Sequence, residues 1–406
     1  VDYARARGYD TALEAYLDKD DIDPAVYDNL VSTINANLPR TLHKYIALRK
    51  KVFGLEGPVT FPNLYNPLLE GVEPEYTYDE AQKLILAGLQ PMGKEYLGYL
   101  ETGMNPASGW IDVYPNPGKR SGAYCNGSCY DVHPYVLLNY NGQYDDVSTL
   151  AHELGHSMHS FLARKHQPIR YSHYSLFVAE VASNFHQAMV RAHLLATKRD
   201  PAFQINVIEE AMSNFHRYFF IMPTLARFEL ETHQRIERGE GLTADDMIGL
   251  MADLFGEGYG QAVAVDRQRV GITWATFGHL YVDYYVYQYA TGISGANALA
   301  KGILSGREGA VENYLRFLKA GGSMYPLDAL RMAGLMMVAI MFIPKITQIR
   351  AIRISIGHSS SAYSLPAVRP RGRVITAETM MMFQPQKVNQ AILSLQRRTP
   401  QVRCTE

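Results

Sequence analysis

One short stretch, TLAHELGHSMH at residues 149–159, limits what this chain can fold into. It places His152, Glu153 and His156 among apolar neighbours. On an α-helix, positions 152 and 156 are one turn apart, so both imidazoles project from the same face. Glu153 then lies about 100° around the helix axis, beside them. Because these groups are costly to bury unless they are paired or ligated, the stretch favours a metal site over a plain polar face.

The HExxH spacing is typical of zinc hydrolases, in which two histidines bind the ion and the glutamate accepts a proton from a metal-activated water. A catalytic zinc needs a third protein ligand. Glu180 is the only acidic residue between Glu153 and Asp200, and its neighbours are apolar. The sequence therefore predicts one Zn²⁺ per chain, bound by His152, His156 and Glu180, with Glu153 as the base.

Further polar side chains close to these ligands are expected to support them. His159 lies one turn beyond the second histidine, but a fourth protein ligand would remove the position for water, so a supporting or packing role is expected. Ser183, Asn184 and Gln187 follow Glu180 at spacings of three, four and seven residues. They could orient the ligands through hydrogen bonds.

The rest of the chain is predicted to be mainly α-helical. Residues 1–103 carry apolar positions three and four apart, which predicts a helical part of the same domain. Residues 104–144 are rich in Gly, Pro and Asn around two short apolar runs, which predicts a small antiparallel β-sheet next to the HExxH helix. Helical patterns then continue to about residue 321. Residues 104–334 are therefore expected to form the catalytic region.

Residues 335–406 differ in composition from the rest of the chain. They hold ten Lys and Arg against two Glu, and they lack sustained helical or strand periodicity. We expect an atypical basic tail that is not native to the fold. A basic arm that binds nucleic acid is the alternative interpretation.

Composition limits the partners of the whole chain. The 406 residues have a formal net charge of -1, so no overall field attracts nucleic acid or an anionic membrane. The longest apolar run, 332–343, is well short of the roughly 20 residues that a membrane span needs. Three cysteines give no disulfide framework, which favours a cytoplasmic location. We expect neither a nucleic-acid partner nor a membrane anchor.

Several motifs together resemble the M3 peptidases, the thimet oligopeptidase and oligoendopeptidase F group, and most closely the oligoendopeptidase F branch. They span about residues 5–333 and read DVYPNPGKRSGAYC, HPYVLLNYNG, DVSTLAHELGHSMHS, YSLFVAEVAS, FGHLYVDYYVYQYATG and ALAKGILSG. The resemblance implies a zincin-type catalytic domain with a channel between two largely helical lobes. It also implies a zinc endopeptidase that cleaves short peptides. Family members are longer at the amino end, so the chain is expected to be truncated there.

The resemblance also implies roles for a later, tyrosine-rich segment. His279, Tyr284 and Tyr287 resemble the groups that bind the scissile carbonyl and stabilise the oxyanion. Tyr281 is expected to contact the substrate. The alternative for the tyrosines is an aromatic core helix.

A strand just before the HExxH helix is a candidate peptide-binding element. We expect Val136, Leu137, Leu138 and Asn139 to form an exposed edge strand, to which an extended peptide could add by main-chain hydrogen bonds.

Two other functions remain open from the sequence. One is an HExxH zinc carboxypeptidase on a similar helical scaffold. The other is a non-catalytic peptide-binding fragment. The oligomeric state is unknown, and a monomer is consistent with the sequence.

Overall fold

Helices form most of the protein in the computed structural model, which describes residues 1–69 and 75–335. The mainly α class is therefore confirmed. The α-helices are α1 (Asp2–Arg7), α2 (Ala12–Asp18), α3 (Pro24–Asn37), α4 (Leu42–Val52), α5 (Phe61–Tyr65), α6 (Tyr78–Gly88), α7 (Lys94–Met104), α8 (Tyr144–His166), α9 (Leu176–Thr197), α10 (Pro201–His216), α11 (Met222–Glu237), α12 (Ala244–Tyr259), α13 (Arg267–Gly271), α14 (Thr273–Thr276), α15 (Gln288–Leu304), α16 (Ala310–Ala320) and α17 (Pro326–Met332).

Shorter elements connect these helices. A π-helical turn, Arg217–Ile221, joins α10 to α11. The 3₁₀ turns are Leu38–Arg40, Gln90–Met92, Pro106–Ser108, Ile169–Tyr171, Gly260–Ala262 and Gly278–Tyr281. The strands are β1 (Val59–Thr60), β2 (Ile111–Asp112), β3 (Tyr124–Asn126), β4 (Tyr135–Leu137) and β5 (Val263–Ala264).

Helices α8 and α9 pack against each other at the centre of the fold, and side-chain caps define where each begins. The Asp146 carboxylate accepts the backbone N–H of Gln143 at the start of α8, and the Ser175 hydroxyl accepts that of Phe177 at the start of α9. Such caps satisfy backbone donors that the first helical turn leaves free. The two predicted helices of the metal site are therefore present.

Two glycines allow close helix packing at this centre. A Cβ added to Gly155 on α8 would lie 2.4 Å from the carbonyl oxygen of Ala182 on α9. A Cβ added to Gly292 on α15 would lie 2.4 Å from the Cβ of Glu180 on α9. Helix α9 is consequently held between α8 and α15, which buries nearly all of its faces.

The small sheet beside α8 is mixed, with the strand order β2-β4-β3. Strands β3 and β4 are antiparallel, as predicted, but β2 and β4 are parallel. The expected edge strand was also wrong, because β4 lies between the other two strands. The backbone N–H groups of Val136 and Leu138 donate to Trp110 and Asp112 on the β2 side. Strand β3, the antiparallel partner of β4, forms a free edge of this sheet.

One hydrophobic core extends along most of the described chain, from Ala12 to Leu335. It includes residues from both of the regions expected from the sequence, 1–103 and 104–334. Leu335, the first residue of the expected basic tail, is buried in this core, and the remainder of that tail lies outside the described residues. No helix in the described ranges combines the length and the apolar character needed to cross a membrane.

Candidate metal centre

Two helices bring three potential metal ligands together. His152 and His156 lie on α8, and their ring centroids are 4.9 Å apart. On α9, the Oε2 atom of Glu180 lies 3.4 Å from Nε2 of His152 and 3.6 Å from Nε2 of His156. One potential ligand atom from each residue lies within 4.8 Å of the other two. The predicted trio therefore forms one cluster.

Buried polar side chains hold His152 in one orientation. Its Nδ1 atom lies 3.0 Å from Oε1 of Gln187, while Nε2 of Gln187 donates to the hydroxyl of Ser148 at 2.9 Å. Ser148 donates in turn to the Glu210 carboxylate at 2.7 Å, which forms a buried ion pair with Arg191. This chain of contacts leaves Nε2 of His152 directed at Glu180.

Each carboxylate oxygen of Glu180 has a hydrogen-bond donor. The hydroxyl of Ser183 donates to Oε2 at 2.9 Å, which agrees with the supporting role expected for this serine. The hydroxyl of Tyr285 donates to Oε1 at 3.0 Å. Burial alone would raise the pKa of Glu180, but His156 and His152 outweigh burial and lower this pKa to about 2. Glu180 is therefore an anion that faces two imidazoles.

The two imidazoles of the cluster differ in protonation. Burial lowers the pKa of His156 to about 4. For His152, burial also favours the neutral ring, but the hydrogen bond and charge of Glu180 raise its pKa to about 9. Glu180 therefore favours a positive charge at this position. A divalent cation would supply that charge in place of the ring proton, and His152 would then bind it as a neutral ring. The donor set of two imidazoles and one carboxylate suits Zn²⁺.

Glu153 lies beside this cluster without belonging to it. Its side chain is buried, and its Oε2 atom has no hydrogen-bond partner among the described residues. Burial raises the pKa of Glu153 to about 7, although the neighbouring His152 and the backbone N–H of Cys125 oppose this shift. The carboxyl group is therefore poised to gain or lose a proton near neutral pH.

The tyrosine-rich segment contributes different residues from those expected. The hydroxyl of Tyr285, bound to Glu180, lies 2.8 Å from that of Tyr289. The Tyr289 hydroxyl lies 3.4 Å from Nδ1 of His279, which is a weak contact. Burial is the first cause of the lowered pKa of His279 and the raised pKa of Tyr285. The site therefore combines a neutral imidazole with protonated phenols.

The structure does not bring Tyr284, Tyr287 and Tyr281 to the site. Tyr284 and Tyr287 are buried in the core, where both rings contact Tyr27. Tyr281 is 68% exposed and does not line the cavity described below. The physical reason is that regular helix begins only at Gln288, so spacing along the preceding turn does not define one face. Tyr284 and Tyr287 thus lie in the aromatic core, although both precede the first residue of α15.

His159 packs behind the metal cluster. Its ring stacks on Tyr174 at 3.6 Å between centroids and contacts Phe317 at 5.1 Å. Burial lowers the pKa of His159 to about 3, so the ring is neutral. Its location agrees with the packing role expected in place of a fourth ligand.

An open cavity of about 1010 Å³ leads to the cluster. Besides the three potential ligands and Glu153, it is bordered by the loop that leads into β3 and by Leu138 and Asn139. Val136 and Leu137 do not line it. The residues of the tyrosine-rich segment that line it are His279, Tyr285 and Tyr289.

Sequence reasoning missed Tyr285 and Tyr289, and it named Gln187 only as a general support. The two tyrosines are four residues apart, which is the spacing that places side chains on one face of a helix. This spacing is visible in YYVYQY, but Tyr284 and Tyr287, which are three residues apart, fit one helix face equally well. The connection from Gln187 through Ser148 to Glu210 joins three helices and leaves no local signature.

Comparison with known proteins decides the family. The sequence profile of Peptidase family M3 matches residues 1–343. The chain belongs to peptidase family M3. It is 42% identical to Oligopeptidase PepF of Bacillus subtilis over 337 residues, which cover 83% of this chain and 49% of that protein. It is 37% identical to Group B oligopeptidase PepB of Streptococcus agalactiae over 336 residues, which cover 83% of this chain and 55% of that one.

A crystal structure agrees with this assignment. The M3 chain resembles oligoendopeptidase-F from Enterococcus faecium with a TM-score of 0.60 and 32% identity, over 82% of this chain and 52% of that one. The resemblance to the oligoendopeptidase F branch is therefore confirmed. The chain spans about half the length of the relatives it matches.

Proposed function

We propose that this chain carries the catalytic region of a zinc-dependent endopeptidase that hydrolyses internal bonds of short peptides. The observation that supports this proposal most strongly is the cluster of His152, His156 and Glu180 beside the unpartnered carboxyl of Glu153. The cluster borders a cavity of about 1010 Å³, which is large enough for several residues of a peptide.

His152, His156 and Glu180 would hold one Zn²⁺. The hydrogen bond from Nδ1 of His152 to Gln187 leaves its Nε2 lone pair free for the ion, which is the arrangement that metal-binding histidines commonly have. When bound, zinc supplies Lewis-acid polarisation of a peptide carbonyl and makes water more acidic.

Glu153 acts as the general base in this proposal. A buried carboxylate with a pKa of about 7 is well matched to proton transfer at neutral pH. It accepts a proton from the attacking water and delivers it to the amine that leaves. The free Oε2 atom of Glu153 provides the position that receives the proton.

Tyr285, Tyr289 and His279 act on the carbonyl oxygen of the substrate. The two hydroxyls remain protonated because burial raises their pKa values. Tyr285 donates its single proton to Glu180 in the structure and would turn it to the substrate oxygen. Donors fixed near the position of developing negative charge stabilise the transition state. This role replaces the one expected for Tyr284 and Tyr287.

The extended peptide would pair with β3 rather than with β4. In an antiparallel pair, the backbone groups of successive residues point alternately to the partner strand and away from it. Val136 donates to the β2 side, so Cys125 opposite it turns its backbone groups to the free edge, while residues 124 and 126 face β4. By the same alternation Ala123 and Gly127 face the free edge, and both line the cavity. Ala123→Pro removes one edge N–H and should raise KM for peptides; an unchanged KM would exclude this pairing.

Product mapping tests the proposed function against its rivals. The zinc-loaded chain should cut a quenched peptide of about eight residues at internal bonds, and a chelator should stop the reaction. Release of C-terminal residues alone would indicate a carboxypeptidase. Zinc binding without cleavage would indicate a non-catalytic fragment. A cytoplasmic location and a monomeric state stay predictions.

A further inference from the structure

Arg217 lies at the border of two cavities. It lines the cavity of the metal centre, and it also lines a neighbouring cavity of about 880 Å³. The second cavity has several apolar walls, formed by Phe61, Tyr65, Phe255 and Phe277. The exposed cation of Arg217 therefore lies between the cavity of the metal centre and a second, more apolar cavity.

The π-helical turn places Arg217 beside the groups proposed to act on the carbonyl. The next residue, Tyr218, stacks on Tyr289 with a centroid distance of 5.1 Å and parallel ring planes. The charge of Arg217 also contributes, after burial, to the lowered pKa of His279. The guanidinium consequently lies within electrostatic reach of the catalytic cluster.

The sequence explains why the helix widens at this point. Pro223 has no backbone N–H and would clash with the carbonyl four residues earlier, so a regular α-helix cannot continue through this position. The five-residue turn Arg217–Ile221 absorbs the irregularity, and the Thr224 hydroxyl donates to the Phe220 carbonyl at 2.7 Å. Turns of this kind occur often at functional sites.

The guanidinium of Arg217 has no ion pair or hydrogen bond to any residue in the ranges 1–69 and 75–335. The acidic side chains that line the two cavities are used elsewhere. Asp146 accepts backbone N–H groups at the start of α8, and Asp266 does so at the start of α13. Glu180 belongs to the metal centre, and the buried Glu153 lies beside it as the proposed base. A peptide-sized cavity thus contains a cation without an anionic partner.

We propose that Arg217 binds the C-terminal carboxylate of the peptide. This inference rests on the proposed function. The planar guanidinium can donate two parallel hydrogen bonds to a carboxylate, which gives both attraction and orientation. The apolar walls of the second cavity would receive side chains at the end of the peptide. Arg217 therefore limits substrates to peptides whose C-terminus lies a short, fixed distance beyond the cleaved bond.

Paired peptides test this assignment with the zinc-loaded full chain. Each pair has the same sequence and ends in either a free carboxylate or a carboxamide. Since hydrogen bonds to charged groups are stronger than those between neutral groups, the parent should favour the free acid by at least about tenfold in kcat/KM, mainly through KM. In Arg217→Gln the ratio should fall to about one, and Arg217→Lys should give an intermediate ratio.

Arg269→Gln is the matched control. Arg269 lines the second cavity but pairs with Asp266 at 3.5 Å, so its loss should leave the ratio of acid to amide unchanged. A third peptide ends in an amide and carries Asp near that end. If the parent prefers this peptide as strongly as the free acid, and Arg217→Gln removes that preference, the C-terminal assignment is wrong and an acidic side chain is the ligand.

Failure of the inference can be told from failure of the proposed function. Equal cleavage of acid and amide by the parent would overturn the role of Arg217 and leave the peptidase proposal intact. If no peptide is cleaved, fluorescence anisotropy of labelled acid and amide peptides bound to the same protein still measures the preference. Tighter binding of the acid that depends on Arg217 supports the inference, and equal binding rejects it.

Discussion

The Nδ1 atom of His152 lies 3.0 Å from Oε1 of Gln187, and the surrounding contacts allow only one orientation of that amide. Ser148 uses its proton on Glu210, so it must accept from Nε2 of Gln187. Oε1 of Gln187 is then an acceptor for the ring N–H. The proton of neutral His152 is thereby fixed on Nδ1, and Nε2 is free to bind a metal.

Removal of this acceptor should weaken metal binding. We expect Gln187→Ala to lower zinc affinity by about 10–100-fold, because the ring loses its orienting partner. Gln187→Glu keeps an acceptor at the same place and should retain the affinity. Competition with a chromophoric chelator measures the change, with Gln268→Ala at an exposed position of α13 as the control. Parental affinity in Gln187→Ala would contradict the role of the amide.

Close packing at Gly292 should be needed to position Glu180. The methyl group of Gly292→Ala would lie 2.4 Å from the Cβ of Glu180, so one of the two helices must shift. We expect lower stability and weaker zinc binding. Gly249→Ala is the control, since its added methyl group meets nothing within 4 Å and should be neutral or stabilise by about 1 kcal/mol. Thermal unfolding and zinc titration of both variants test this, and equal behaviour would refute it.

Two tyrosine substitutions distinguish the arrangement in the structure from the roles expected from the family resemblance. Tyr285→Phe removes a donor next to Glu180 and should reduce kcat by about 10²–10³-fold. The hydroxyl of Tyr287 is buried without a partner among the described residues, so Tyr287→Phe should leave kcat close to the parental value. Steady-state kinetics at saturating zinc gives both numbers. The opposite order would restore the role inferred for Tyr287 from family resemblance.

The accuracy of the sequence predictions follows the regularity of the backbone. His152, His156 and Glu180 were predicted correctly as one cluster, because regular helices fix the direction of side chains at known spacings. The segment 278–287 contains a 3₁₀ turn and a residue, Tyr284, with φ of 48°, so spacing could not show which tyrosines face the site.

The strand order in the small sheet was also beyond local pattern reading. A run of alternating residues predicts a strand, but it does not say which strands lie on each side. More than twenty residues, including β3, separate β2 from β4 in the sequence, yet the two strands pair. This pairing places the expected edge strand in the centre of the sheet.

Buried histidines should make the folded protein sensitive to acid. Burial lowers the pKa of His216 to about 4, from 6.5 for an exposed histidine, and its Nε2 lies 2.8 Å from the Tyr259 hydroxyl. Between these two values the unfolded chain binds more protons than the folded one, so the free energy of unfolding falls as pH decreases from 6.5 to 4. His216 alone could account for up to about 3 kcal/mol of this loss.

Denaturant unfolding of the parent and of His216→Gln, at several pH values in this window, measures the contribution. The glutamine does not titrate, so the variant should lose less stability on acidification than the parent. Other groups are common to both proteins and cancel in the comparison. Identical slopes would show that His216 is not buried in the neutral form.

In the proposed mechanism, one buried cluster binds zinc while the adjacent Glu153 transfers the proton. Glu153→Gln keeps the shape of the side chain but cannot accept that proton. From this mechanism we expect one zinc per chain in both the parent and the variant, by elemental analysis, with peptide cleavage reduced at least about 10³-fold in the variant. Cleavage at the parental rate by zinc-loaded Glu153→Gln would contradict it.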